Sequence, residues 1–385
     1  MDRWEVPLAD VVIEDGDLEA VCATYRSGWL TMGPRTTELE TLFAGYTGAG
    51  AAIAVSSGTA ALHLMCLAVG LGPGDEVIVP SVTFVATANA VAYTGATPVF
   101  ADIADLTAPW LSASACEAAL TPRTRAVLAV SYGGHPGEIV ALLDLCRRRD
   151  LVLLEDAAHA AGARLNGRHL GTFGVAGAFS LYSNKNLAVG EGGLLVTSDE
   201  AVARRARLLR SHGTTSGTWD RHRDDVAGYD VVALGFNYRL DEPRAALAAA
   251  RLGRLDRDND RRARLAARYR VGFDGTDLAV PLGPVEGTRS SHHLFTVVLP
   301  EEVDRPAFRE ELSRRGIQTS VHYPPVHRFA LYADGRDLPV TDHYTARTVT
   351  LPLFPHMTDA QQDRVVDAVH TGLAIASRPR GPARR

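Results

Sequence analysis

Between about residues 50 and 200, short unbroken apolar runs alternate with longer stretches of helical spacing. The runs are AAIAVSS (51–57), EVIVP (76–80), TPVFADI (97–103), RAVLAVSY (125–132), LVLLEDA (151–157), GAFSLYS (177–183) and GGLLVTS (192–198). Runs of this length without polar alternation predict strands covered on both faces. Helical patterns lie between them at 59–70, 84–95 and 137–149. Strand–helix alternation predicts an α/β domain built on a mainly parallel seven-stranded sheet with helices on each side. Arginine-rich helical sequence over 239–272 leads out of it. Beyond, HLFTVVLP (293–300), a helix at 306–316, an IQTSVHY strand (317–323) and the helix TDAQQDRVVDAVHTGL (358–373) predict a smaller α+β unit. The expected division is 1–250 for an N-terminal segment and the large domain. Residues 251–385 then form the small C-terminal domain, ending in the flexible basic tail RPRGPARR.

A chain of 385 residues can bury a core large enough for two domains. A net charge of −5 argues against a nucleic-acid partner, which a basic stripe would mark. Cys22, Cys66, Cys116 and Cys146 lie far apart without a CxxC pair. That spacing predicts reduced thiols in a cytoplasm, with neither a disulfide framework nor a zinc or other metal site. The start MDRWEVPLAD lacks an apolar signal core, and no apolar run approaches the ~18 residues of a membrane span. The expectation is a soluble cytoplasmic protein with no membrane partner.

One letter changes the picture. Lys185, in SLYSNKNLAVGEGGLL (180–195), is the only lysine, against 39 arginines among the 40 strongly basic residues. An ammonium can lose its proton and attack a carbonyl, which a guanidinium cannot do at accessible pH. A compact loop with Gly190, Gly192 and Gly193 would desolvate that lysine and free its amine; the plain alternative is a lysine reaching to water.

Two further strand ends face the same side. In an open α/β sheet, ligands bind outside the carboxyl ends of the strands. VSSGTAAL runs from a strand into Gly58 and Thr59, which open a buried helix. Free amides there suit a phosphate, unless this is an ordinary strand–helix turn. GAGAA (48–52) precedes a strand instead of opening a helix, so it is rejected as a dinucleotide site, and no GxxxxGK occurs. In LVLLEDAAH, Asp156 ends an apolar strand, where a carboxylate needs a cation or several donors. A protonated ring nitrogen would serve, as would a cap or salt bridge. Together, a phosphate cradle, an acidic strand end and a later lysine describe an enzyme of pyridoxal 5'-phosphate (PLP).

The sequence also resembles a known family, the DegT/StrS-type nucleotide-sugar aminotransferases among the fold-type I PLP enzymes of the aspartate aminotransferase superfamily. The resemblance covers nearly the whole chain. It is carried by GWLTMGPRTTELE, VSSGTAALHL, GDEVIVPSVTFVATANAV, GATPVFADI, EDAAHAAGA, FSLYSNKNL with EGGLL, GFNYRLDEPRAAL, SVHYPPVH and LPLFPHMTDAQ. It implies that Lys185 is the Schiff-base lysine and proton shuttle, and that Asp156 pairs with the pyridine nitrogen. It implies that Phe84 stacks on the ring, worth roughly 1 kcal/mol beyond burial. Gly58, Thr59 and Ser180 would bind the phosphate, and His159 would lie near the ring hydroxyl. Asn237 would reach the neighbouring subunit's cofactor phosphate, which implies an obligate homodimer with shared sites. His322 and Tyr323 would lie near the substrate entrance.

Two departures qualify this. NYRLDEPRAA replaces a NYRMTDLQAA-like run, placing helix entry at Asp241, Glu242 and Pro243 in question. SYGGHP stands where the family often has HLYGQP, the form typical of members acting at sugar carbon 3. The shorter form is closer to members that aminate carbon 4. The resemblance thus implies amino transfer, with L-glutamate as expected donor, to a keto group of a nucleotide-linked deoxysugar. dTDP-4-keto-6-deoxyglucose, giving dTDP-4-amino-4,6-dideoxyglucose, is favoured. A 3-keto sugar or an aminocyclitol is the nearest alternative. A PLP-dependent sugar dehydratase would carry histidine in place of Lys185, and a non-catalytic regulator of this fold would carry a DNA-binding extension. The arginine-rich, lysine-poor composition fits a high-GC bacterium making a decorated natural product such as an antibiotic.

Overall fold

The structure, a computed structural model, describes residues 4–216, Trp219, His222 and 228–377. The basic tail lies outside these residues. All seven expected strands form, as β1 (Ala51–Val55), β2 (Glu76–Pro80), β3 (Thr97–Ala101), β4 (Thr124–Val130), β5 (Val152–Asp156), β6 (Ala176–Ser180) and β7 (Gly193–Thr197). Their order in the sheet is β1-β7-β6-β5-β4-β2-β3. Every pairing is parallel except those of β7, which runs antiparallel to both β1 and β6. The connection from β6 to β7 is the lysine loop, which forms no helix, and the chain returns antiparallel.

Unbroken apolar strands follow from what covers the sheet. Alternate residues of one strand enter two different cores. Ala52 and Ala54 of β1 pack with Leu39 and Phe43 of α2 (Pro34–Thr47), while Ile53 and Val55 pack with Leu62 and Met65 of α3 (Gly58–Ala68). Neither face meets water, so neither set of positions is polar.

The stretch 239–272 breaks into two helices, Glu242–Leu252 and Leu255–Gly272, at Gly253 and Arg254. The unusual DEP entry works as a cap. Asp241 accepts from the Arg244 amide at 3.1 Å, and Pro243 sits in the first turn, where its missing N–H costs nothing. Glu242, 1% exposed, reaches across to the start of α2. Its carboxylate accepts from the amides of Gly33, Arg35 and Thr36 at 2.8, 2.7 and 2.8 Å and from the Thr36 hydroxyl at 2.7 Å. One acid therefore accepts from the orphan donors of a helix distant in sequence and ties GWLTMGPRTTELE to GFNYRLDEPRAAL. Replacing it, Glu242→Leu, leaves those buried donors unpaired. An expected loss of about 3 kcal/mol would show as a lower urea midpoint at unchanged slope.

The C-terminal unit holds a two-stranded antiparallel pair, β8 (Phe295–Val298) with β9 (Thr348–Leu351), against helices Arg305–Arg314 and Asp359–Ala376. Its core joins Phe295, Phe308, Val349 and Val365, and Val6 from the N-terminal segment packs into it. IQTSVHY is not a strand. It makes only single bridges, Val6 with Ile317 and Ser320 with Thr350, because it crosses between two partners and then turns at Pro324 and Pro325. That crossing carries His322 and Tyr323 to the site. Among the described residues, no helix is long and apolar enough to cross a membrane. All four cysteines are free.

Candidate active site

The carboxyl ends of β1, β5 and β6 open on a cavity of about 470 Å³. Gly58, Thr59, Phe84, Asp156, His159, Ser180, Lys185, His322 and Tyr323 all line it. Asn237 does not. It is exposed, in a backbone bridge with Ser211.

The floor is made by β1 turning into α3. Ser57 caps that helix, accepting from the Ala60 amide at 3.0 Å and leaving the first amides, at Gly58 and Thr59, free of helical partners. Gly58 packs on Ser180, where a Cβ would come within 2.8 Å of the serine Cβ. A Cβ on Gly193 would overlap the Ser57 carbonyl oxygen, so both glycines are required by close approach. The donor set is two helix-end amides and the Ser180 hydroxyl, which fits a phosphate.

Asp156 is 5% exposed. One oxygen accepts from the Thr87 hydroxyl at 2.7 Å and the other from the Ala158 amide at 3.1 Å. Thr83 lies 2.6 Å from Thr87, and because Thr87 gives its proton to the carboxylate, Thr83 must donate to Thr87. Burial pushes the Asp156 carboxyl up; the Thr87 and Ala158 hydrogen bonds and the Lys185 charge pull it back down. A buried acid whose hydrogen-bond donors are all neutral fits a cationic partner placed in the cavity, such as a protonated pyridine nitrogen.

Lys185 sits in a turn closed by its own amide to the Tyr182 carbonyl at 2.9 Å. The loop is pinned by Leu181 to Gly192 and Val189 to Leu181, both at 2.9 Å. Burial pushes the ammonium down to about 8, with Asp156 opposing the shift. The surroundings thus favour the free amine, and the lysine does not lie along the surface.

The remaining residues form the walls. Phe84 precedes α4 (Ala86–Ala92) and is 57% exposed, an apolar ring presented to the cavity and not a core residue. Its centroid is 5.9 Å from that of Tyr323. His322 places Nδ1 2.8 Å from the Thr350 hydroxyl, and burial, with the Lys185 charge, lowers it to about 4. His159 is buried, with one ring nitrogen on Tyr323 and the other on a backbone amide.

Sequence reasoning missed Thr87, Thr83 and Asn184. Both threonines lie inside the quoted SVTFVAT, but their role depends on a carboxylate about seventy residues away. Asn184, beside the lysine, lines the same cavity with a buried and unpartnered Oδ1.

Comparisons with known proteins agree with this fold. The model of the DegT/DnrJ/EryC1/StrS aminotransferase family matches residues 12–370. The aminotransferase TlmJ from Streptoalloteichus hindustanus is 35% identical, covering 96% of this chain and 99% of its own, with a TM-score of 0.90. DesV from S. venezuelae, solved in complex with a ketimine intermediate, is 39% identical over 94% of this chain and 95% of its own, with a TM-score of 0.85. The sugar aminotransferase CalS13 from Micromonospora echinospora is 29% identical over 95% and 100%, with a TM-score of 0.87. This chain belongs to the DegT/DnrJ/EryC1/StrS family of PLP-dependent sugar aminotransferases.

Proposed function

We propose that the protein moves an amino group from L-glutamate to carbon 4 of dTDP-4-keto-6-deoxyglucose, giving dTDP-4-amino-4,6-dideoxyglucose. The observation that carries amino transfer at this site is the convergence of nine residues from five separate stretches on one cavity holding the only lysine. The preference for carbon 4 rests on SYGGHP. Gly133, which stands where HLYGQP has tyrosine, has φ 64°, and a Cβ there would come within 2.5 Å of Leu282 Cδ1. A tyrosine at this position would be strained and would need Leu282 to move.

In this reading PLP supplies an aldehyde and an electron-withdrawing ring. Lys185 would hold that aldehyde through its amine nitrogen and would supply the base that moves a proton during the transfer. Asp156, kept in place by Thr87 and the Ala158 amide, holds the ring nitrogen protonated. The Gly58 and Thr59 amides with Ser180 bind the phosphate, and Phe84 covers one face of the ring. His322, neutral at working pH, and Tyr323 meet the substrate.

The reading includes a homodimer in which Asn237 reaches the partner's cofactor phosphate. Support comes from the apolar exposure beside it, with Leu234 91% and Val232 58% exposed. A place in cytoplasmic antibiotic deoxyaminosugar biosynthesis accords with the arginine-rich composition.

The test is incubation of the PLP form with glutamate and a panel of 4-keto and 3-keto nucleotide sugars, reading product mass and regiochemistry. A 4-amino product is expected. Amine at carbon 3 alone would reverse the regiochemical assignment, and a deoxysugar without nitrogen would make the protein a dehydratase.

A further inference from the structure

The SYGGHP turn does more than exclude a side chain. It presents the Gly133 amide to Nδ1 of His159 at 3.2 Å. A nitrogen that accepts an N–H carries no proton itself, so in the neutral imidazole the proton must be on Nε2. Neutrality follows from the surroundings. His159 is 6% exposed, the His293 ring lies tilted against it with centroids 4.3 Å apart, and burial, then the charges of Lys185 and His322, hold the ring well below its ordinary range. The ring cannot turn over to exchange its nitrogens without losing the amide. Its backbone is fixed as well, since the His159 carbonyl accepts from the Ser291 hydroxyl at 2.5 Å.

Nε2 lies 3.0 Å from the Tyr323 hydroxyl oxygen. Because Nε2 carries the proton, it donates, and the tyrosine oxygen accepts. The phenol's own hydrogen is then left to point elsewhere. Tyr323 stays a phenol, since burial and the nearby Asp156 charge both raise it. The titratable groups around the pair are Lys185, Asp156, His293, His322 and Tyr132, and Tyr132 donates to the backbone carbonyl of His322 and not to Tyr323.

We propose that the Gly133 amide fixes His159 as the Nε2–H tautomer, and that His159 thereby positions the Tyr323 hydroxyl as a hydrogen-bond donor into the Lys185 cavity, toward the cofactor's ring oxygen. Gly133 and His159 are positioning residues, and Tyr323 is the group that makes contact. This rests on PLP being held by Lys185, as the proposed function has it. A donor to the ring oxygen competes with the proton on the lysine nitrogen for that oxygen. It therefore lowers the pH at which the lysine–cofactor chromophore loses its proton.

The experiment is a pH titration of visible absorption on PLP-loaded protein, without substrate. In Tyr323→Phe the midpoint is expected to rise by about one to two pH units, the size of one hydrogen bond to a charged group. His159→Leu is expected to raise it in the same direction. His159→Gln, whose amide can accept from Gly133 and donate to Tyr323, should restore most of the wild-type value. A Tyr323→Phe midpoint equal to wild type overturns the proposal. So does a shift in Tyr323→Phe that His159→Leu does not share, or a glutamine variant that behaves like leucine. If wild-type protein forms no lysine chromophore at all, it is the proposed function that has failed.

Discussion

Lys185→Arg is expected to abolish amino transfer, by about ten-thousandfold or more, while the circular dichroism and urea midpoint stay close to wild type. The substitution keeps positive charge and most of the side-chain volume but removes a nitrogen that can be deprotonated. Without it there is neither a covalent tether nor a base to move the proton between carbons, and loss of a nucleophile that doubles as the base is among the most damaging single changes an enzyme can suffer. The same lysine makes a pH prediction with a definite sign. Its ammonium is held at about 8 in the fold, against 10.5 for an unburied lysine. At pH 7 roughly one molecule in ten then carries the free amine, compared with about one in three thousand for an unshifted lysine. Capture of PLP by cofactor-free protein should therefore accelerate nearly tenfold per pH unit up to about 8 and level off above it, as followed by visible absorption. A rate that keeps climbing to pH 10 would mean that burial does not lower this amine. Turnover preserved in Lys185→Arg would remove it from the chemistry altogether.

Asp156→Asn should be the second most costly change. The side chains are nearly isosteric and the amide can still meet Thr87, so the cavity keeps its shape. What disappears is the negative charge that, in the proposed function, pairs with a ring nitrogen. Removing one preorganised charge of this kind costs about a hundred- to thousandfold in turnover. Because the amide cannot hold a proton on the ring, the loss should fall on kcat more than on KM, and PLP should still bind through Lys185 and the helix amides. A variant with full kcat and weakened cofactor binding would reassign Asp156 to binding alone. Thr87→Val offers a graded comparison. It leaves the carboxylate buried with one fewer donor and should lower activity in the same sense, by less.

Much of this was legible without coordinates because the relevant signals are local. A strand flanked by two cores is mostly apolar on both faces, so all seven strands can be read from apolar runs alone. A lone lysine needs no neighbour to be noticed, and a strand running into Gly–Thr already describes a helix end with free amides. The resemblance to a family, carried by motifs across nearly the full chain, joined these pieces into one chemistry. Where local reading failed, the deciding partner was remote. IQTSVHY has the alternation of a strand, yet Val6 and Thr350 each take one bridge from it and no ladder forms. The DEP entry looked like a flaw in a helix start, yet Glu242 is the cap of another helix more than two hundred residues earlier. Thr87 reads as one more small residue in an alanine-rich helix until the fold brings it to Asp156.

The division follows from range. By itself the sequence determined which segments are strands and helices, which side of the sheet carries chemistry, and which amine can act as a nucleophile. All of these depend on residue type, spacing and nearest neighbours. Only the tertiary structure decided how far that amine is desolvated, which nitrogen of His159 bears the proton, and which donors hold Asp156. Each of those is set by an atom far along the chain, brought to hydrogen-bonding distance where water has been excluded.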